Sequence, residues 1–168
     1  MRPWLMLLAL FVVGCTLTPP LTMKLSSPAF EDGGMIPTEY TCDGADESPE
    51  LHIADVPDEA VSLALIMDDP DAPRGTFVHW VVWDIDPATT LIPHGVAHVG
   101  EEGMTDFKRE GYGGPCPPSG THRYYFKLYA LDTRLELGEG ATKAELEAAM
   151  QGHILAEAVL MGRYTKGR

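Results

Sequence analysis

The chain has 168 residues, of which 45% are hydrophobic and 22% charged, an ordinary globular composition that argues against a disordered or fibrous protein. Its 17 glycines and 14 prolines exceed average usage and favour a loop-rich β protein over a helix bundle. The formal net charge of −13 argues against a domain that binds nucleic acid or anionic lipid by neutralising phosphates.

The N-terminal segment resembles a lipoprotein export signal. Arg2 precedes eleven apolar residues, 3–13, a run too short to cross ~30 Å of hydrocarbon as a helix but typical of a signal-peptide core. The ending Val12-Val13-Gly14-Cys15 resembles a bacterial lipobox, in which the cysteine is acylated and becomes the new N-terminus. The expected layout is a removable signal, a lipidated tether and a single domain, at residues 1–14, 15–21 and 22–168.

A lipid anchor on Cys15 predicts a place in the bacterial cell envelope, on the periplasmic side. Because Thr16 rather than an aspartate follows the cysteine, the resemblance implies the outer membrane in a Gram-negative source. The alternative is that Cys15 only ends an ordinary signal or an anchor helix. Assigning Cys15 to lipid leaves Cys42 and Cys116, which either form a disulfide in an oxidising compartment or remain free and buried.

Two interior strands are predicted near the middle of the chain. Residues 61–67 are apolar at nearly every position, as in a strand that is buried on both faces. Residues 77–85 follow the same pattern, and strict alternation places Phe77, His79 and Val81 on one face. Both strands are expected to lie inside a packed sheet.

The flanking regions predict loops, one more strand and late helices. The turn-rich residues 26–49 predict loops. Residues 123–131 alternate between more polar and more apolar side chains, which predicts a strand with one more buried face. Residues 142–145 form a capping box that begins a helix. Apolar residues then recur near helical spacing, so we expect two short helices broken at Gly152; they are Leu146, Met150, Ile154, Ala158 and Met161. This order predicts an α+β fold that is mainly antiparallel β.

A stiff loop with three carboxylates, Asp68-Asp69-Pro70-Asp71-Ala72-Pro73, leaves the first interior strand. Each proline fixes φ and pushes the preceding residue into an extended conformation, which holds Asp69 rigidly. His79 follows on an apolar face, where an imidazole needs a polar partner. The loop is either a ligand site or a proline turn with solvated charges, and His79 is either a ligand residue or a satisfied core histidine.

A second polar segment, residues 111–124, is rich in glycine and proline. Its glycines allow the backbone to approach a ligand closely, and His122, Arg123 and Tyr124 mount polar side chains where a strand begins. The alternative is a hairpin connection in which Arg123 pairs with Asp69 or Asp71 to stabilise the fold, and we favour this interpretation for Arg123.

Together, the segments 69–80 and 114–124 resemble the two signature segments of the phosphatidylethanolamine-binding protein (PEBP) family, and more narrowly its bacterial Raf kinase inhibitor-like branch. The similarity runs from about Phe30 to Tyr164. It implies an antiparallel β-sandwich with short C-terminal helices and a small pocket for phosphate-like anions. The ligand-binding residues implied by matching positions are Asp69, Asp71, His79, His122 and Tyr124, with Pro73, Trp80, Cys116 and Pro117 shaping the pocket.

Histidine and tyrosine donors beside carboxylates suit an anion site of modest affinity. Because carboxylates repel an anion, we expect a monoanion or a ligand with an attached ammonium, such as phosphorylethanolamine. The expected role is binding or regulation without turnover, cofactor or metal. The alternatives are a hydrolase with His79 or His122 as base, a metal site drawn from Asp69, Asp71, His79 and His122, and an inhibitor of an envelope enzyme. Neither a G-x-S-x-G elbow nor an H-E-x-x-H motif supports the first two.

Overall fold

The computed structural model describes residues 22–96 and 98–167. The predicted signal at 1–14, the acylated Cys15 and the tether at 15–21 lie outside the described residues, and their roles stay predictions. In the described part of the chain, no helix is long and apolar enough to cross a membrane.

Within the described residues, eight strands form two antiparallel sheets. They are β1 (Lys24–Ser26), β2 (Leu51–Ala54), β3 (Ser62–Asp69), β4 (Phe77–Ile85), β5 (Leu91–Ile92), β6 (Glu101–Glu102), β7 (Thr121–Leu131) and β8 (Ile154–Thr165). The smaller sheet has the order β1-β2-β5, and the larger sheet has the order β6-β4-β3-β7-β8. The turn-rich segment between β1 and β2 forms loops around a short 3-10 helix, Thr38–Tyr40. The mainly β, α+β fold predicted from the sequence is confirmed.

The larger sheet is covered on both faces. One cluster of buried side chains lies between the two sheets and includes Leu51, Ile53, Leu65, Trp80 and Phe126. A second cluster lies on the opposite face of the larger sheet, against the helix, and includes Ala64, Ile66, Val81, Trp83 and Leu146. Every residue of β3 is buried, which explains why this strand is a continuous apolar run rather than an alternating one.

The single α-helix of the described residues, α1 (Lys143–Met150), begins at the predicted capping box. The Thr142 hydroxyl accepts a hydrogen bond from the Glu145 N–H, and the Glu145 carboxylate accepts one from the Thr142 N–H at 2.8 Å. Leu146 and Met150 are buried on its inner side. The helix therefore covers the outer face of the larger sheet.

The second predicted helix is wrong, because residues 154–165 form β8 and pair along the length of β7. Ile154, Ala158 and Met161 have helical spacing, but the same segment also alternates toward the core through Ala158, Leu160, Gly162 and Tyr164. The long neighbouring strand supplies hydrogen-bond partners for an extended chain. Tertiary pairing thus overrides a short helical pattern.

Strand β4 contains an irregularity that moves its side chains between faces. Its register with β3 shifts between Met67 and Asp68, as in a β-bulge. Phe77 and His79 consequently line the same cavity, whereas Val81 packs in the cluster against α1. The expectation that all three share one face is wrong for Val81, because strict alternation does not anticipate an extra residue.

Candidate functional site

A small cavity lies where the two predicted signature segments meet. Its volume is about 160 Å³. The end of β3 supplies the carboxylate of Asp69, and the start of β4 supplies the rings of Phe77 and His79. The loop before β7 closes the cavity. The lining residues are Asp69, Ala72, Pro73, Phe77, His79, Phe107, Cys116 and Pro118.

Asp69 is the buried carboxylate of this cavity, with 3% of its surface exposed. One carboxylate oxygen accepts a hydrogen bond from the backbone N–H of Asp71 at 2.8 Å, and the other accepts a hydrogen bond from Nδ1 of His122 at 2.7 Å. Because a carboxylate only accepts hydrogen bonds, Nδ1 of His122 carries the proton. The second ring nitrogen, Nε2, takes no part in this bond. The two hydrogen bonds compensate the buried charge and fix the His122 ring.

His79 is oriented by the backbone of Gly113. Its Nδ1 donates to the Gly113 carbonyl at 2.7 Å, and the Gly113 N–H donates to the His79 carbonyl at 3.0 Å. Burial lowers the pKa of His79, although the Gly113 bond and the Asp69 charge oppose this. The ring is therefore neutral near pH 7, with its proton on Nδ1 and an acceptor lone pair on Nε2.

Aromatic rings surround the His79 imidazole. The centroid distances are 5.1 Å to Phe77, 5.2 Å to Phe107 and 5.2 Å to Tyr124. Phe107 approaches closely because Gly113 has no side chain, since a Cβ there would lie 2.3 Å from the Phe107 ring. Sequence patterns did not point to Phe107, whose only signal is an aromatic residue within a polar loop.

The Tyr124 ring packs against His79, although neither Tyr124 nor His122 is among the residues that line the cavity, and the Tyr124 hydroxyl is an unused polar group. It is buried, and it has no hydrogen-bond partner among the described residues. The Cys116 amide is nearby but does not reach it with hydrogen-bond geometry. Burial, reinforced by the Asp69 charge, raises the pKa of Tyr124 far above its ordinary value. The phenol therefore keeps its proton and is an available donor.

Asp71 points away from the cavity and binds Arg123. The Asp71 Oδ1 accepts a hydrogen bond from Nη2 of Arg123 at 2.6 Å. The Asp71 Oδ2 accepts two hydrogen bonds, from Nε and from the backbone N–H of Arg123, both at 2.9 Å. The Arg123 hydrogen bond holds the pKa of Asp71 at about 2. The structure thus has the ion pair favoured for Arg123, and Asp71 is not among the residues that line the cavity.

Trp80 also lies outside the cavity. It is fully buried in the core between the sheets, where its Nε1 donates to a Glu102 carboxylate oxygen at 3.0 Å. Trp80 is therefore not among the residues that line the cavity, and its expected role in shaping the pocket stays a prediction. Pro117 is buried next to Pro118, and it is Pro118 that lines the cavity.

A disulfide joins Cys42 and Cys116, whose Cα atoms are 5.4 Å apart. Of the two alternatives for these cysteines, the structure has the disulfide. It ties the loop after the 3-10 helix to the cavity wall, and the Cys42 N–H donates to the Pro115 carbonyl at 3.2 Å beside it. Cys116 thus meets the cavity as a disulfide sulfur rather than as a thiol.

Across residues 22–96 and 98–167, no group of three or more His, Cys, Asp and Glu side chains is arranged to hold a metal ion. Of the four residues considered for such a site, Asp71 is held by Arg123, and the Asp69 oxygens are bonded to His122 and to the Asp71 amide.

Comparison with known proteins identifies the family. The family model described as phosphatidylethanolamine-binding protein matches residues 26–165. This chain belongs to the PEBP family. A UPF0098 protein of Methanothermobacter thermautotrophicus is 50% identical over 151 residues, which cover 86% of this chain and 100% of that protein.

Two solved structures share the fold of this PEBP-family chain. A structure from Chlamydia trachomatis, described as that of a PEBP homologue, has a TM-score of 0.85 and 44% identity, and the match covers 88% of this chain and 99% of that one. Escherichia coli YbcL, described as a new member of the mammalian PEBP family, has a TM-score of 0.79 and 27% identity over 86% and 99% of the two chains. The expected family and β-rich fold are confirmed.

Proposed function

We propose that this PEBP-family chain is an envelope-anchored binding protein whose cavity takes a phosphate group with an attached ammonium, such as phosphorylethanolamine, without turnover. The observation that carries the proposal is the buried Tyr124 hydroxyl, which has no partner among the described residues. A buried donor without a partner costs about 1–3 kcal/mol. An oxyanion that accepts from Tyr124 recovers that cost, so the donor favours an anionic ligand.

The rest of the cavity supports the ammonium part of the ligand. Asp69 supplies a negative charge, Phe77 and Phe107 supply ring faces, and the neutral His79 supplies an acceptor at Nε2. Carboxylates and aromatic rings both attract ammonium groups. A bare dianion would be repelled by Asp69, which is why a zwitterionic headgroup fits better.

The envelope location is supported by the N-terminal pattern with its acylation signal at Cys15. The Cys42–Cys116 disulfide suits the same proposal, because disulfides persist in oxidising compartments such as the periplasm. Mass spectrometry of the N-terminal peptide tests it: an acylated Cys15 is expected, and an intact residue 1–14 segment would contradict it.

The His122–Asp69 pair favours hydrolysis as a second candidate, because a carboxylate bonded to Nδ1 is the arrangement that orients a general base. Of the described residues that line the cavity, none offers a hydroxyl or a free thiol as nucleophile. Hydrolysis therefore requires an activated water, whereas binding requires no further group. We favour binding for this reason.

The binding proposal is tested by isothermal titration of the chain from Thr16 onward with phosphorylethanolamine, phosphate and ethanolamine. We expect saturable binding, tightest for phosphorylethanolamine, that is lost in His122→Ala. The matched control is His153→Ala, because His153 also pairs through Nδ1 with a carboxylate, Asp132 at 2.8 Å, but on the exposed surface. Equal binding by the His122 variant, or no heat with any ligand, would contradict the proposal.

Turnover assays on phosphoester and ester substrates separate the remaining candidates. Hydrolysis that is lost in both His79→Ala and His122→Ala would favour the hydrolase. An absence of both binding and turnover would favour inhibition of an envelope enzyme, and affinity capture of partner proteins would then be the next step.

A further inference from the structure

A larger groove lies on the opposite face of the sheet from the cavity. Along β7, the side chains of Arg123, Tyr125 and Lys127 alternate with the buried side chains of His122 and Tyr124. The groove has a volume of about 380 Å³. Its lining residues are Asp68, Pro70, Thr76, Arg123, Tyr125, Lys127 and Lys143.

Positive charge is concentrated in this groove, although the chain as a whole carries a net charge of −13. Arg123 is neutralised by its bidentate pair with Asp71. Lys127 and Lys143, from β7 and α1, share a single carboxylate, Asp68, which is 1% exposed. Two ammonium groups against one carboxylate leave a surplus positive charge at the bottom of the groove.

Glu147 offsets this surplus only in part. Its carboxylate lies 3.5 Å from the Lys143 nitrogen, but its side chain is 46% exposed, so water screens the interaction. Burial lowers the pKa of Lys143, yet the hydrogen bonds and the negative charges of Asp68 and Glu147 together outweigh this and raise the pKa overall. The ammonium is therefore charged at every physiological pH.

The two lysines also have unused donors. Each ammonium carries three N–H groups, and Lys127 uses one of them on Asp68 at 2.8 Å. Both lysines contact the same oxygen, Oδ2, while the other oxygen, Oδ1, is buried without a partner among the described residues. Because both nitrogens meet at one atom, a single anion in the groove can accept hydrogen bonds from both.

We propose that this groove is a second binding site, for a small oxyanion of the phosphate class held between Lys127 and Lys143 with Arg123 at its edge. Tyr125 keeps two of the cations in place, because Arg123 and Lys127 lie 5.9 Å and 5.8 Å from its ring centroid. The volume exceeds that of one phosphate ion, so a phosphate that carries an organic group fits. The proposal is independent of what the cavity at Asp69 and His79 binds.

The test is titration of the ¹⁵N-labelled full chain with inorganic phosphate, against sodium chloride at equal ionic strength, followed by amide chemical shifts. We expect saturable shifts at Lys127 and Lys143. Lys127→Gln and Lys143→Gln should each weaken the affinity at least about threefold, because each removes one of the two cations. Asp68→Asn should strengthen it at least about threefold, because the internal carboxylate competes with the ligand for the same ammonium groups.

Controls separate this site from the cavity and from general charge effects. Lys24→Gln is the matched control, because Lys24 also pairs with one carboxylate, Asp55 at 2.7 Å, but on β1 in the smaller sheet. It should leave the phosphate affinity unchanged. His122→Ala should leave the shifts at Lys127 and Lys143 unchanged, so failure of the cavity proposal and failure of this one are distinguishable.

A purely structural role for the lysines predicts a different result. In that case the glutamine variants lower the melting temperature, but phosphate causes no saturable chemical-shift changes at Lys127 and Lys143 beyond those caused by chloride. An absence of such changes would overturn the proposal. Unchanged affinity in either glutamine variant, or in Asp68→Asn, would overturn it as well. Lys127→Arg keeps the charge and the pairing with Asp68, so it should fold and retain binding even if Lys127→Gln does not fold.

Three further probes identify the source of the anion. Acetate tests whether a planar carboxylate suffices, glycerol 3-phosphate represents a free phosphomonoester, and glycerophosphoglycerol represents a phospholipid headgroup. We expect phosphate and glycerol 3-phosphate to bind more tightly than acetate. Tighter binding of the diester than of the monoester assigns the site to a lipid headgroup, and the reverse order assigns it to a soluble phosphate. Acetate binding as tightly as phosphate would contradict the assignment to the phosphate class.

Discussion

Replacing Tyr124 by phenylalanine removes one oxygen and leaves the aromatic ring in place. The ring is fully buried and packs edge-on against His79 at 5.2 Å, contacts that phenylalanine keeps. Because the hydroxyl has no partner among the described residues, its burial destabilises the unliganded protein. We expect Tyr124→Phe to raise the free energy of unfolding by about 1–2 kcal/mol. Calorimetry should show the melting temperature rising by about 2–6 °C.

The same substitution should weaken ligand binding. If the phosphate group accepts the Tyr124 hydroxyl, its loss costs about 1–2 kcal/mol, or roughly 5- to 30-fold in affinity for phosphorylethanolamine. The matched control is Tyr112→Phe, because the Tyr112 hydroxyl donates to the Tyr40 carbonyl at 2.7 Å. This control should destabilise the fold by about 1 kcal/mol. A Tyr124→Phe variant that is destabilised like the control, or that binds the ligand unchanged, would refute the reasoning.

Three other features give expected outcomes for stability. Burial raises the pKa of Glu102 to about 7, although the hydrogen bond from Trp80 opposes this. The folded state therefore holds a proton on Glu102 that the unfolded state has already lost in this pH range. The free energy of unfolding should fall by about 1–2 kcal/mol, after solvent screening, as the pH rises from about 4.5 to 7. Urea unfolding at pH 5 and pH 8 should show this slope in the natural chain and not in Glu102→Gln. Replacing Cys42 and Cys116 together by serine should lower the free energy of unfolding by about 2–4 kcal/mol, because the bond spans 74 residues; a midpoint unchanged in denaturant would contradict this. Thr142→Ala should cost about 1 kcal/mol in the same assay by removing the capping bond of α1, whereas no loss would mean that the cap is dispensable.

The parts of the fold that follow from local sequence could be predicted. The continuous apolar run of β3 requires a strand covered on both faces, and the alternation in β7 requires one face in the core. The capping box marks where α1 begins, because its two hydrogen bonds involve residues only three apart. The two signature segments meet at one cavity, where the first supplies Asp69 and His79 and the second supplies Cys116.

The parts that depend on distant residues could not be predicted. Strand β8 carries helical spacing and becomes a strand only because β7 pairs with it. The bulge in β4 arises from its register with β3, which moves Val81 to the helix side of the sheet. Phe107 reaches the cavity through space left by Gly113, a contact with no sequence signature.

The most direct test of the binding proposal is a crystal structure of the protein with phosphorylethanolamine. The proposal predicts that one phosphate oxygen lies about 2.5–3.0 Å from the Tyr124 hydroxyl. It predicts that the ammonium lies against Asp69 and the ring of Phe77. A headgroup found elsewhere, or an empty cavity at saturating ligand with the Tyr124 hydroxyl still without a partner, would contradict it.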